Sequence, residues 1–424
     1  MQAARGMNDV LPAEIGYWQR LEETARDLLS TYGYAELRVP VVEHTELFAR
    51  AIGEHTDVVE KEMFTFIDRG GESLTLRPEA TAGVARALIA NGMLRGQRHK
   101  LWTSGPMFRH EKPQKGRYRQ FYQIDVEAIG YSGPDVDAEL IALSARLWRR
   151  LGISRVRLEI NSLGTPASRA RYREHLVEYF RAHESRLDAD SQRRLETNPL
   201  RILDSKNPEM QSLIGNAPLL TEHLDHESRE HFESVRAQLE SMGIGYQVNP
   251  RLVRGLDYYN GTVFEWLTDA LGSQGAVCSG GRYDGLIGQL GGEPTPGIGF
   301  AMGEERLVEL LRLASPGEVA RGADVYVVLN GARAEAQGLG IVEQLRDALP
   351  ECRIETHLGG GNFKAQFRRA DRSGAALALI LGDDELARGV AALKPLRGES
   401  GQSECPLAEL PSRLAAELAG TSRR

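Results

Sequence analysis

Residues 121–129 alternate without a break: Tyr122, Ile124, Val126 and Ala128 fall on one face of an extended chain, and Phe121, Gln123, Asp125 and Glu127 on the other. A period of two excludes a helix here. Residues 101–108 are also rich in β-formers, so the two runs read as a long hairpin. Their connection is basic: the eleven residues from Arg109 to Arg119 hold five Lys/Arg and one Glu, in a chain of formal net charge −7. Such a loop points to an anionic ligand. Arginines at strand ends grip phosphate through charge-assisted, often bidentate bonds, while the polar face of the return strand offers acceptors for a cationic or hydrogen-bonding substrate. The alternative is a charged hairpin with a solvated outer face.

The length of 424 residues suggests about three domains, and a hydrophobic share of 41% is enough to bury real cores. Residues 1–6 contain no apolar h-region, and no apolar run approaches ~18 residues. The expectation is a cytoplasmic protein with no membrane partner. Cys278, Cys352 and Cys405 are far apart and odd in number, which fits a reducing compartment and excludes a Cys-x-x-Cys zinc site. They read as packing residues. The acidic net charge argues against indiscriminate coating of nucleic acid but allows selective binding by a local basic patch.

Along the chain, residues 9–32 read as a helix and 35–42 as a strand containing Pro40, which belongs at an edge or interface. Residues 74–79 form a short strand entering a helix over 81–90, so Arg77, Glu79 and Thr81 meet helix amides at a strand-to-helix junction. Val136, Leu140, Leu143, Leu147 and Leu151 make one apolar helix stripe that packs on the sheet. Residues 166–250 are charged, helical and without strand signal, as in an inserted helical subdomain. Strand and glycine signals return over 252–303. Beyond an interruption at Ser315-Pro316-Gly317, strands over 325–329, 354–356 and 376–381 alternate with helices, as in a small α/β domain.

Chemistry gathers in four patches. They are Arg77-Pro78-Glu79-Ala80-Thr81, the basic hairpin, residues 252–265 with Arg254, Asp257, Tyr258 and Tyr259 beside an Asn260-Gly261 turn, and residues 279–307. In the last, a glycine-spaced strand feeds a helix whose first turn carries Arg306. Arg109, Arg254 and Arg306 are three separated guanidiniums, suited to neutralising a triphosphate during in-line attack. No Gly-x-x-x-x-Gly-Lys-Ser/Thr loop is present, and Gly297-x-Gly299 lacks the third glycine of a dinucleotide fingerprint. His223, His226 and His231 could be read as metal ligands, but in so charged a helical region they read as a solvated face, and no metal-ligand set is assigned.

These residues carry a resemblance. The strand ending at Pro40 resembles motif 1 of the class II aminoacyl-tRNA synthetases, Phe108-Arg109-His110-Glu111 their motif 2, and Gly303-Glu304-Glu305-Arg306 their motif 3. Arg254-Gly255-Leu256-Asp257-Tyr258-Tyr259 and Gly280-Gly281-Arg282-Tyr283-Asp284 resemble the signatures of the histidyl-tRNA synthetase family, and residues 359–366 resemble its anticodon-binding domain. The resemblance implies a mixed α/β (α+β) fold. A class II catalytic domain over 1–322, an antiparallel sheet flanked by helices, carries the helical insertion at 166–250. An anticodon-binding α/β domain follows over 323–424, and the assembly is a homodimer.

The implied activity is ATP-dependent conversion of L-histidine to histidyl-adenylate, with Mg²⁺, and transfer to the 3′ end of histidine tRNA. Histidine is held by Glu79, Ala80, Thr81, Gln123, Glu127, Tyr258 and Tyr259. Arg109 grips the α-phosphate, Arg254 stabilises charge there, Arg306 holds the far end of bent ATP, Phe121 stacks on adenine and Glu111 contacts its edge. Lys112, Gln114, Lys115, Arg117 and Arg119 on a projecting hairpin tip meet tRNA. Ala80 stands where many members have glycine. A regulatory subunit of ATP phosphoribosyltransferase, a catalytically inactive relative, is expected to lack the catalytic arginines and the C-terminal domain, both of which this chain retains.

Overall fold

A computed structural model describes residues 1–424 apart from 55, 115, 204, 206, 273–274, 318–321, 398–400 and 422–424. The chain divides into two compact units, Met1–Pro316 and Gly317–Arg424.

The strands of the first unit are β1 (Ala35–Glu36), β2 (Val42–His44), β3 (Phe64–Ile67), β4 (Ser73–Leu76), β5 (His99–Phe108), β6 (Gln120–Ile129), β7 (Arg157–Ser162), β8 (Gln247–Val248), β9 (Asn260–Leu267), β10 (Ala276–Arg282) and β11 (Gly297–Gly303). Eight of them form one sheet in the order β1-β5-β6-β11-β10-β9-β7-β8, antiparallel except for the two edge pairs. The hairpin β5–β6 runs in register from His99 opposite Ile129 to Phe108 opposite Gln120. β2, β4 and β3 make a small separate sheet.

The alternation in β6 separates two layers. Ile124, Val126 and Ala128 enter an apolar core with the helices Pro12–Thr31, Pro134–Leu151, His226–Ser241 and Glu304–Ala314. The five spaced residues from Val136 to Leu151 are all buried in that core. Full burial of such aliphatic side chains is worth roughly 1.5–3 kcal/mol each, so this face holds the sheet together. The opposite face, with Gln123, Asp125 and Glu127, meets the start of the helix Thr81–Ala90, where Thr81 donates to Glu127. Asp125 and Glu127 are each 1% exposed, so the polar face is an interior one rather than a solvated one.

Three expectations need correction. Residues 35–42 do not make a strand through Pro40. β1 stops at Glu36, and the chain then leaves the sheet, with Arg77 Nη1 holding Val39 O at 3.1 Å and Arg77 N donating to Val41 O at 2.8 Å. Proline has no N–H to extend a ladder. The insertion is shorter than 166–250, because Phe232, Val235 and Leu239 of the helix His226–Ser241 belong to the sheet core and β8 pairs with β7. Asn260-Gly261 is not a hairpin turn. Gly261, at φ +50°, lies inside β9 where the register with β10 shifts, a bulge conformation that suits glycine. Arg282 is buried, 3% exposed, and its Nε donates to both oxygens of Asp137 at 3.0 and 2.9 Å.

The second unit has strands β12 (Val325–Asn330), β13 (Ile354–Thr356), β14 (Leu377–Gly382), β15 (Val390–Pro395) and β16 (Ser403–Pro406), in the order β13-β12-β14-β15-β16. The first three are parallel and joined through helices, as the pattern predicts; β15 and β16 add an antiparallel edge that the local pattern does not announce.

Candidate active site

A cleft of about 560 Å³ lies on the polar face of the large sheet. Its acidic end is built at the junction of β4 and the helix Thr81–Ala90. Glu79 precedes that helix, and its carboxylate accepts from the backbone N–H of Thr81 and of Ala82, both at 2.9 Å, satisfying amides that the helix itself cannot pair. Tyr258 donates to the same carboxylate at 3.3 Å. Thr81 Oγ1 donates to Glu127 Oε1 at 2.6 Å, and the hydroxyl of Tyr283 donates to Glu127 Oε2. A side chain at Gly299, opposite Glu127 on β11, would collide with that carboxylate, so the strand must carry glycine there.

Burial raises the carboxyls at this end. Glu127 is pushed up to about 8, by burial first and by Glu79 as well, against the hydrogen bonds of Thr81 and Tyr283. Burial also lifts Glu79 and Asp125, with the neighbouring carboxylates adding to the rise at Asp125. Buried acids raised this way gain from a cation that restores their charged form. Gln123 Oε1 and Asp125 Oδ2 have no protein hydrogen-bond partner among the described residues.

The other end is cationic. Arg109 Nε donates to Pro78 O at 2.9 Å, and its guanidinium lies over Phe121, 5.5 Å from the ring centre. Arg254 lies over Tyr259 at 5.4 Å and Nη1 donates to Glu265 at 3.2 Å. Arg306 Nε donates to Gly116 O at 3.1 Å, and its Nη1 to Ala276 O. Burial, then repulsion from Arg117, depresses the pKa of Arg306. An added anion would relieve both effects.

Of the residues singled out from sequence, Glu79, Thr81, Arg109, Glu111, Phe121, Gln123, Arg254, Tyr258, Tyr259 and Arg306 border this cleft. Ala80 is 0% exposed and Glu127 1%, so Glu127 lies behind Thr81, joined to it and to the equally buried Tyr283. Lys115, at the tip of the basic loop, lies outside the described residues. Around it, Gln114 and Arg117 bridge, Arg117 pairs with Glu111, and Gly116 and Arg117 border the cleft. Lys112 and Gln114 are exposed, and Arg119 donates to Glu111 O at 3.2 Å.

Asp125 and Tyr283 were not assigned roles from sequence, although both lie in patches already singled out, Asp125 by the period of two that places Gln123 and Glu127. Cys278 also borders the cleft, but burial holds its thiol well above the ordinary range. His223 stacks on His175, His226 pairs with Glu230 and His231 reaches Asp137, three separate environments.

A mostly antiparallel sheet carrying acids at one end of a cleft and arginines at the other, with a separate α/β domain after it, is the architecture of class II aminoacyl-tRNA synthetases. Residues 6–307 match the profile of histidyl-tRNA synthetase, and residues 324–417 that of an anticodon binding domain. This chain belongs to the histidyl-tRNA synthetase family. The apo histidyl-tRNA synthetase of S. aureus is similar at 35% identity over 98% of this chain and 99% of its own, with a TM-score of 0.81. Two further structures share the fold. Histidyl-tRNA synthetase from a Nostoc species has 22% identity, covers 98% of this chain and 99% of its own, and has a TM-score of 0.72. An ATP phosphoribosyltransferase regulatory subunit/histidyl-tRNA synthetase from Bacillus halodurans has 23% identity, covers 87% and 96%, and has a TM-score of 0.63. Among the described residues no helix is long and apolar enough to cross a membrane.

Proposed function

We propose that this chain activates L-histidine with ATP and transfers it to histidine tRNA in the cytoplasm. The observation that supports this most is the polarity of the cleft: buried carboxylates at one end for a substrate with an ammonium and an imidazole, three guanidiniums at the other for a triphosphate. Glu79 and Gln123 take the ammonium, and Thr81, Tyr258, Tyr259 and the Glu127 behind them take the ring. Arg109 orients the α-phosphate, Phe121 and Glu111 receive adenine, and Arg306 the far phosphates. A carboxylate oxygen of histidine attacks the α-phosphorus as the bond to the bridging oxygen of pyrophosphate breaks, and Arg254 balances the charge that develops. A ribose hydroxyl of tRNA then displaces AMP from the acyl carbon.

Among the described residues no group of three His, Cys, Asp or Glu is placed to hold a metal. Mg²⁺ needs only one or two carboxylates when substrate phosphates supply the rest. Glu305, raised to about 7 by burial and bordering the cleft, would hold it, and the metal would supply further charge neutralisation on the phosphates. A regulatory subunit without chemistry is the competing reading. Histidine-dependent ATP–pyrophosphate exchange by the purified protein separates the two, and its absence removes the enzyme.

Lys112, Gln114, Arg117 and Arg119 remain our assignment for tRNA, with Lys112 the test. Lys112→Gln is expected to weaken aminoacylation more than exchange and to lower the salt slope of tRNA binding by about one. Equal losses in both assays would place Lys112 at ATP.

We also propose a homodimer through the helix Pro12–Thr31 and the chain around Pro40, extended by the small sheet, where Val42, Phe66 and Ile67 are 37%, 44% and 66% exposed. Sedimentation at micromolar concentration should give twice the chain mass; a fully active monomer rules this out.

A further inference from the structure

Three cations meet one carboxylate at the mouth of the cleft. Asp57 opens the π-helical turn Val58–Glu62. Its Oδ2 takes Arg194 Nη2 at 2.9 Å and Arg201 Nη2 at 3.7 Å, both from the helical insertion, and its Oδ1 takes Lys61 Nζ at 3.2 Å. A single ion pair this exposed adds little to stability. Three cations around one anion do something different: they concentrate positive charge at a chosen place.

That place is the cleft. Asp57 and Arg201 both border it, and Arg201 Nη1 lies 3.6 Å from where a side chain at Gly255 would begin, beside Arg254. The far end of the same turn, Glu62, also borders the cleft and meets the basic loop. Glu62 O accepts from the N–H of His110 at 2.6 Å, one residue past Arg109. Turns of this π type recur at functional sites. One short segment therefore ties the insertion to the basic loop at the substrate entrance.

We propose that Asp57 is a positioning residue for adenylation. It draws Arg201 of the insertion to the cleft beside Arg254, and through the turn it fixes the backbone next to Arg109, so that the phosphates of ATP meet Arg201 and Arg109 in register. This rests on the activity proposed above and adds to it Asp57 and a fourth guanidinium.

Asp57→Asn keeps the shape and removes the charge. In ATP–pyrophosphate exchange the KM for ATP should rise about tenfold, the scale of one charge-assisted hydrogen bond. The KM for histidine should stay within about twofold and Tm should not move. Arg201→Gln should give the same pattern, the double variant should be no worse than the worse single one, and Asp57→Glu should recover most of the loss. Wild-type protein measured in parallel keeps two failures apart. No exchange by the wild type removes the proposed activity itself, whereas an active wild type with unchanged ATP KM in both single variants removes only the role of Asp57. Additive losses in the double variant, or losses in both single variants that follow a lowered Tm, overturn that role too.

Discussion

Arg254→Ala is expected to lower the rate of ATP–pyrophosphate exchange by about 10²–10³ while leaving histidine binding largely intact, the usual effect of removing one preorganised donor to charge that develops in the transition state. Its setting explains the expectation. The guanidinium is aligned by the Tyr259 ring at 5.4 Å and by Glu265 at 3.2 Å, and Glu265 is itself oriented by Ser279 Oγ at 2.9 Å. Burial works against the charge of Arg254, but its ion pair with Glu265 offsets it, so the side chain stays cationic. Among the described residues its ion pair is with Glu265, not with Glu79 or Glu127. Exchange kinetics with a direct histidine-binding measurement decide the matter: a variant exchanging at near wild-type rate shows that Arg254 is not the group that balances charge at phosphorus. Arg254→Lys separates position from charge, because an ammonium cannot reproduce the planar stack on Tyr259.

Glu127→Ala should reduce the preference for histidine over an analogue lacking the ring N–H, by up to about 10⁴ if the site discriminates by leaving buried polar groups unpaired. The carboxylate joins Thr81 and Tyr283 behind the pocket, so its loss strands both hydroxyls as well as the ligand. Glu127→Gln is the gentler companion, and pH gives it a signature. Burial lifts Glu127 from an ordinary 4.5 to about 8. A group raised in the folded state contributes stability that is fully present below the unfolded value and is lost as pH rises through the folded one. The wild type without substrate should therefore lose stability between about pH 5 and 8, and Glu127→Gln should flatten part of that slope. Exchange driven by histidine and by the analogue, compared in Glu127→Ala, tests the specificity role directly. An equal drop for both assigns Glu127 to the common end of the substrate or to the fold.

What the sequence disclosed, and what it did not, follows from the range of each signal. Period-two alternation told that Gln123, Asp125 and Glu127 share a face, and local helix and strand signals located the Glu79–Thr81 junction, because both are short-range patterns. Whether that polar face met solvent or a cleft depended on which elements covered it, which no local pattern carries. The basic loop shows the same limit: Lys112 and Arg117 look alike in sequence, yet one is exposed and the other borders the cleft. Irregular segments have no period from which direction could be read. Asp57 and Arg194 meet although 137 positions apart, and neither stands in a pattern that announces it. The helix His226–Ser241 was assigned to the insertion because its composition is charged, whereas three residues on one side, Phe232, Val235 and Leu239, suffice to bury it in the core.

The two ends of the cleft are made of different material, and this bears on how products leave. At the acidic end the walls are side chains standing on paired strands and on a helix start, joined to one another by buried hydrogen bonds. At the arginine-lined end, Arg306 is met by Gly116 O from the basic loop. A loop can swing aside without breaking the sheet ladder. Under the proposed function, pyrophosphate would then have an exit that leaves the amino-acid pocket assembled, and the adenylate would stay in place for the incoming tRNA.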